Sequence, residues 1–143
     1  MAMAWGWYEP QRILFFKISG DMSVEDFRAM VTITSNTVRD NPGVLLHTLT
    51  DYQDLVRLPR DLRGMADAIR DTIEYQIPGW AVTVGGTNSA VRFLVGILSQ
   101  LFTFRLKMLI TTEQALIFLN EMDKTLPELL PAREVEVVTQ PET

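Results

Sequence analysis

Cysteine is absent from the chain, and histidine occurs once, at His47. Without cysteine there is no disulfide, no thiol nucleophile and no thiolate metal site. A single histidine excludes multi-histidine zinc sites and the two-histidine helix of zinc proteases. No apolar run approaches the roughly 18 residues of a membrane span, and Met1-Ala2-Met3-Ala4-Trp5 lacks the layout of a secretory leader. The expectation is a soluble cytoplasmic domain that uses no cofactor and no metal. Positive charge is not in surplus either. The 13 Lys and Arg stand against 18 Asp and Glu, a net charge of -5, so nucleic acid is not an expected partner.

What is present is ordinary for a globular domain. Its 143 residues, 47% hydrophobic and 22% charged, can enclose one core rather than two. The charge is unevenly spread. Residues 1–112 hold 11 acids and 11 bases, whereas residues 113–143 hold seven acids against Lys124 and Arg133. The net charge therefore belongs to the last helix and tail, and the body is neutral.

Two apolar runs, Trp5 to Glu9 and Arg12 to Ile18, flank Pro10-Gln11 and read as a hairpin with the first run at a sheet edge. Ser19-Gly20-Asp21 is turn chemistry. Ser23 with Asp26 forms a capping box for a helix that Asn41-Pro42-Gly43 stops. Val44 to Thr50 reads as an interior strand ending at Asp51-Tyr52, and Pro59 suits the first position of a second helix. Trp80 to Val84 is the next strand. Thr87 or Asn88 can cap an apolar helix reaching about Leu101, Phe104 to Ile110 is a further strand, and Thr111 with Gln114 caps the helix Ala115 to Met122. Strands alternating with helices imply an α/β fold with a mostly parallel mixed sheet of about five strands, an antiparallel first strand and four main helices. The expected division is a domain over 1–126 and an acidic tail over 127–143, in which Glu134 to Val138 alternates like a short strand.

The order of these elements, with the pieces Arg12 to Asp21, Val44 to Asp51 and Thr111 to Leu119, resembles the STAS and SpoIIAA-like domains over residues 5 to about 124. The resemblance implies stacked βα units and a regulatory or protein-interaction role. Anti-sigma-factor antagonists of that group carry a phosphorylatable serine after the second long strand. The matching stretch here, Leu49 to Leu55, contains no serine.

No constellation of nucleophile and base stands out, so no catalytic residue is assigned. His47 and Asp51, four apart on a strand, share a face but lie about 13 Å apart, and a hydrogen-bonded structural histidine is the expectation. Arg57, Arg60 and Arg63, spaced by three around Pro59 and close to Tyr52, are the candidates for an anion or an acidic partner. The plainer alternative is a solvated face neutralised by Asp54, Asp61 and Asp67; the protein's own acidic tail is a third. Gly85-Gly86-Thr87-Asn88 joins a strand end to a helix start, where open α/β sheets bind ligands, but an ordinary turn with a helix N-cap is the preferred explanation. The helix from Ala90 to Leu101 is apolar around most of its circumference, which demands cover on more than one side. Phe93, Ile97 and Phe102, with Trp5 and Trp7, are the interface candidates for a homodimer. Two functions follow: a non-catalytic regulatory or protein-interaction domain, or a carrier of a small apolar or anionic ligand with a pocket closed by Trp5, Trp7 and Trp80 and gated by the arginines.

Overall fold

The computed structural model describes residues 3–72, 76–101, 105–130 and 136–139. Strand β1 (Met3–Glu9) turns through Pro10-Gln11-Arg12 into β2 (Ile13–Asp21), its antiparallel partner. Gln11 holds φ at 61°, and the Arg12 N–H closes the turn on the Glu9 carbonyl at 3.0 Å. Helix α1 (Val24–Asp40) begins on the expected capping box: the Asp26 N–H donates to the Ser23 hydroxyl, and the Ser23 N–H donates to the Asp26 carboxylate. Then follow β3 (His47–Arg57), α2 (Leu62–Thr72), β4 (Trp80–Val84), α3 (Ser89–Leu101), β5 (Arg105–Leu109), α4 (Thr112–Met122) and β6 (Glu136–Thr139).

The sheet has the order β5-β4-β3-β2-β1-β6, parallel from β2 to β5. To the roughly five expected strands the tail adds a sixth, and one expectation needs correction: β1 is not the sheet's edge. The alternating segment of the tail lies antiparallel to β1, from Ala4 opposite Thr139 to Trp7 opposite Glu136, and satisfies the row of β1 backbone groups that would otherwise be open. The tail is also built in earlier: Leu126 and Leu129 are buried, and Tyr8 donates its hydroxyl to the Leu130 carbonyl at 2.6 Å.

Successive right-handed βα crossovers place α1, α2 and α3 on one face of the sheet, and α4 covers the other. Alternation along β2 divides the two cores. Leu14, Phe16 and Ile18 join Phe27, Ile69 and Leu94 under the three helices, whereas Ile13 and Phe15 join Leu49, Val82, Leu116 and Leu119 under α4. Because both faces are covered, the first half of β2, Ile13 to Phe16, reads in sequence as an unbroken apolar run.

Several boundaries differ from expectation, among them the start of β3 at His47 rather than Val44 and of α4 at Thr112 rather than Ala115. Ser19-Gly20-Asp21 is strand, held by an irregular register against Asp54 to Arg57. β3 continues through Asp51-Tyr52-Gln53-Asp54 to Arg57, because parallel pairing with β2 outweighs the turn preference of aspartate. α2 starts at Leu62 rather than Pro59, since Asp61 caps it by accepting the Gly64 N–H at 2.8 Å. α3 departs in another way. Val91, Leu94 and Leu98 are buried and Ile97 is half-buried, but Phe93 is 55% exposed, so the chain alone covers one side of this apolar helix.

Candidate functional site

The lone histidine is the centre of a buried clasp. His47 opens β3 and lies beside the start of β4, where the Trp80 N–H donates to its Nδ1 at 2.9 Å. A nitrogen that accepts cannot carry the proton, so the ring is the neutral Nε2–H tautomer, and Nε2 donates to Asp123 Oδ2 at 2.8 Å. Asp123 ends α4 and also receives Arg12 Nη2 at 2.6 Å and the Thr125 N–H at 3.0 Å. Burial is the largest influence on His47 and lowers its pKa, as do Arg12 and Arg105, against the opposing pull of Asp123. Burial alone would raise Asp123, but His47, Thr125 and Arg12 outweigh it and hold the carboxyl at about 2. Asp51, the residue the sequence places nearest His47 in role, belongs to a separate network with Lys17 at 3.2 Å and the Gln53 N–H at 2.9 Å. The clasp fastens the segment after α4 to the hairpin and the sheet. Its proton positions are all committed to structure.

The other enclosed feature lies on the opposite face. A cavity of about 100 Å³, partly open to solvent, sits between the sheet and helices α1, α2 and α3. Its floor is Phe16 of β2, Thr48, Thr50 and Tyr52 of β3, and Ala81 and Thr83 of β4. None of Trp5, Trp7, Trp80, Arg57, Arg60 or Arg63 lines it. The cavity expected from the sequence, closed by tryptophans and gated by arginines, is therefore not the one the fold makes. Trp5 and Trp7 are half-buried against the three-helix core, and Trp80 packs edge-on to Phe118 beneath α4.

Tyr52 also leaves the group in which the sequence placed it. It is 1% exposed, its hydroxyl reaches Met30 Sδ at 3.8 Å, and burial raises its pKa. It faces the cavity and cannot meet an external anion with the arginines. Those arginines are exposed: Arg57 at the end of β3, Arg60 in the loop and Arg63 in the first turn of α2. The acids expected to neutralise them are engaged elsewhere, Asp54 with Lys17, Asp61 with the α2 cap and Asp67 with Arg70.

The Gly85 to Asn88 turn is explained by packing. The Gly85 and Gly86 N–H groups both donate to the Leu109 carbonyl at 3.0 Å, and Gly85 adopts φ +117° where a Cβ would press on the Tyr52–Gln53 peptide. Asn88 caps α3 through the Ala90 N–H at 2.9 Å and donates to the Leu55 carbonyl at 2.7 Å; Thr87 is exposed. Of the interface candidates, Phe93 and Ile97 share one side of α3, Trp5 and Trp7 lie apart on β1, and Phe102 lies outside the described residues. Sequence reasoning missed Thr48, Thr50 and Thr83. The available signal was polar residues at i and i+2 within an otherwise apolar interior strand.

Among the described residues no helix is long and apolar enough to cross a membrane. This arrangement of hairpin, βα units and a helix on the reverse face is a SpoIIAA-like α/β fold. Solved structures that share it include these two. One is an uncharacterised protein of the DUF3478 family with a SpoIIAA-like fold from Shewanella loihica PV-4, 16% identical, with a TM-score of 0.59 over 82% of this chain and 94% of that one. The other is the anti-sigma factor antagonist SpoIIAA in its unphosphorylated form, 14% identical, with a TM-score of 0.50 over 84% of this chain and 98% of that one. No family model matches the chain, and no curated protein matches it in sequence.

Proposed function

We propose that this protein is a non-catalytic interaction domain of regulatory type that pairs with a second copy of itself through α3. The observation that carries the reading is Gly96. A glycine inside a helix costs about 1 kcal/mol relative to alanine, and here a Cβ at Gly96 would meet nothing within 4 Å. Among the described residues nothing asks for a glycine at this position. A second backbone approaching closely would, and Phe93, 55% exposed one turn earlier, offers that partner an apolar anchor.

Light scattering at low micromolar concentration tests the pairing. The expected mass is twice the chain's 16.3 kDa, falling to a single chain in Phe93→Glu and in Gly96→Leu with the circular dichroism spectrum unchanged. A wild-type mass of one chain would overturn the proposal. The arginines extend the same reading, since three exposed guanidiniums with no ion pair to a described residue suit an acidic segment of a protein partner. Replacing Arg57, Arg60 and Arg63 together by serine is expected to weaken binding of an acidic peptide by about tenfold or more at low salt, with thermal unfolding unaltered. Equal binding by wild type and variant would reduce them to a solvated surface.

A further inference from the structure

The helix-facing side of β3 carries three hydroxyls in a row, two of which have no partner among the described residues. Thr48 and Thr50 are 7% and 6% exposed, and neither hydroxyl has a hydrogen bond to any described residue. Tyr52, next on the same face, reaches only the Met30 sulfur at 3.8 Å, a weak acceptor. Buried hydroxyls without partners are unfavourable, and an interior strand under helices would be better served by valine. Among the described residues no unpartnered side-chain oxygen is sealed inside, so the Thr48 and Thr50 oxygens open onto the cavity above them. Over them stand Phe27, Met30 and Val31 of α1, Ile69 of α2 and Leu98 of α3.

We propose that this cavity is a binding site for a small neutral amphipathic molecule, whose hydroxyl or carbonyl pairs with Thr48 and Thr50 while its apolar body lies under α1. The volume sets the size. An apolar cavity of about 150 Å³ admits benzene, so one of about 100 Å³ encloses about four non-hydrogen atoms, and its open side leaves room for the rest of a small ring. The lining sets the charge. None of the cavity's residues is ionised at neutral pH, so a carboxylate or phosphate entering it would lose its hydration without gaining a countercharge. The anionic cargo considered from the sequence is thereby disfavoured in this pocket. The site uses the inner side of the helical layer and is independent of the outer side of α3.

Phenol and toluene, which differ by one hydroxyl in place of a methyl, are the probes. In an amide-resolved NMR titration of the full chain, phenol is expected to shift residues 48–52 and 81–83 saturably and to bind about tenfold more tightly than toluene. The double variant Thr48→Val with Thr50→Val keeps shape and strand preference, so it is expected to fold and to bind the two probes equally. Ala81→Leu, which fills the floor, should bind neither, and Phe93→Glu should bind phenol as the wild type does. Absence of saturable shifts with either probe at millimolar concentration would overturn the proposal. So would equal binding of phenol and toluene by the wild type, the outcome if the threonines merely hold water, or an unchanged phenol preference in the double valine variant.

Discussion

Replacing Asp123 by alanine is expected to lower the unfolding free energy by about 3–5 kcal/mol. The carboxylate is buried and holds four donors at once: His47 Nε2, Arg12 Nη2, the Thr125 N–H and the Thr125 hydroxyl. Its removal leaves the buried imidazole N–H without an acceptor and Arg12 without its countercharge. Urea denaturation measures the loss, and a change below about 1 kcal/mol would show that the clasp contributes nothing beyond a surface pair. The same geometry fixes the response to acid. His47 is held neutral in the fold with its pKa below the ordinary 6.5, so the unfolded chain binds the extra proton first and stability falls as pH drops below 6.5. Asp123 titrates at about 2 in the fold against 3.8 when free, so its contribution is complete above 3.8 and is lost between there and about 2. Both changes have one sign, and Asp123→Ala should flatten the lower window.

Gly79→Ala is the second large effect, about 2–4 kcal/mol of destabilisation. Gly79 donates its N–H to the Leu46 carbonyl at 2.9 Å, which brings the two backbones together at the point where His47 accepts from Trp80. A Cβ there would stand 2.6 Å from the Leu46 carbonyl oxygen and 2.7 Å from His47 Cε1. Neither can retreat cheaply. The carbonyl is backbone, and the ring is held from both nitrogens. Since the substitution acts through the same imidazole as Asp123→Ala, the two losses should fall short of additivity when combined. An alanine variant within about 0.5 kcal/mol of wild type would mean that β4 and the β3 entry can separate freely.

The parts of this fold that were readable in the sequence are those written in local chemistry. Ser23 with Asp26, Thr111 with Gln114, and Pro10-Gln11 between two apolar runs each specify their own neighbourhood. β3 was misread at its far end because Asp51, Gln53 and Asp54 have turn propensity, and only their pairing with β2 keeps them extended. The clasp was unreadable for a different reason. His47 and Asp123 are 76 positions apart, and no periodicity links a strand entry to the cap of a helix on the other face. The threonine row lies between these cases, visible as a pattern but without meaning until α1, α2 and α3 close over it. The outer side of α3 is the reverse: its apolar excess was plain in sequence, and the fold left Phe93 uncovered rather than burying it.

Native mass spectrometry of freshly purified protein tests the central claim most directly, because it reads subunit count and retained ligand together. The account predicts a species of twice 16.3 kDa that dissociates to one chain in Phe93→Glu, with any adduct small, neutral and absent from Ala81→Leu. A bare single chain at micromolar concentration, identical in wild type and Phe93→Glu, would contradict it.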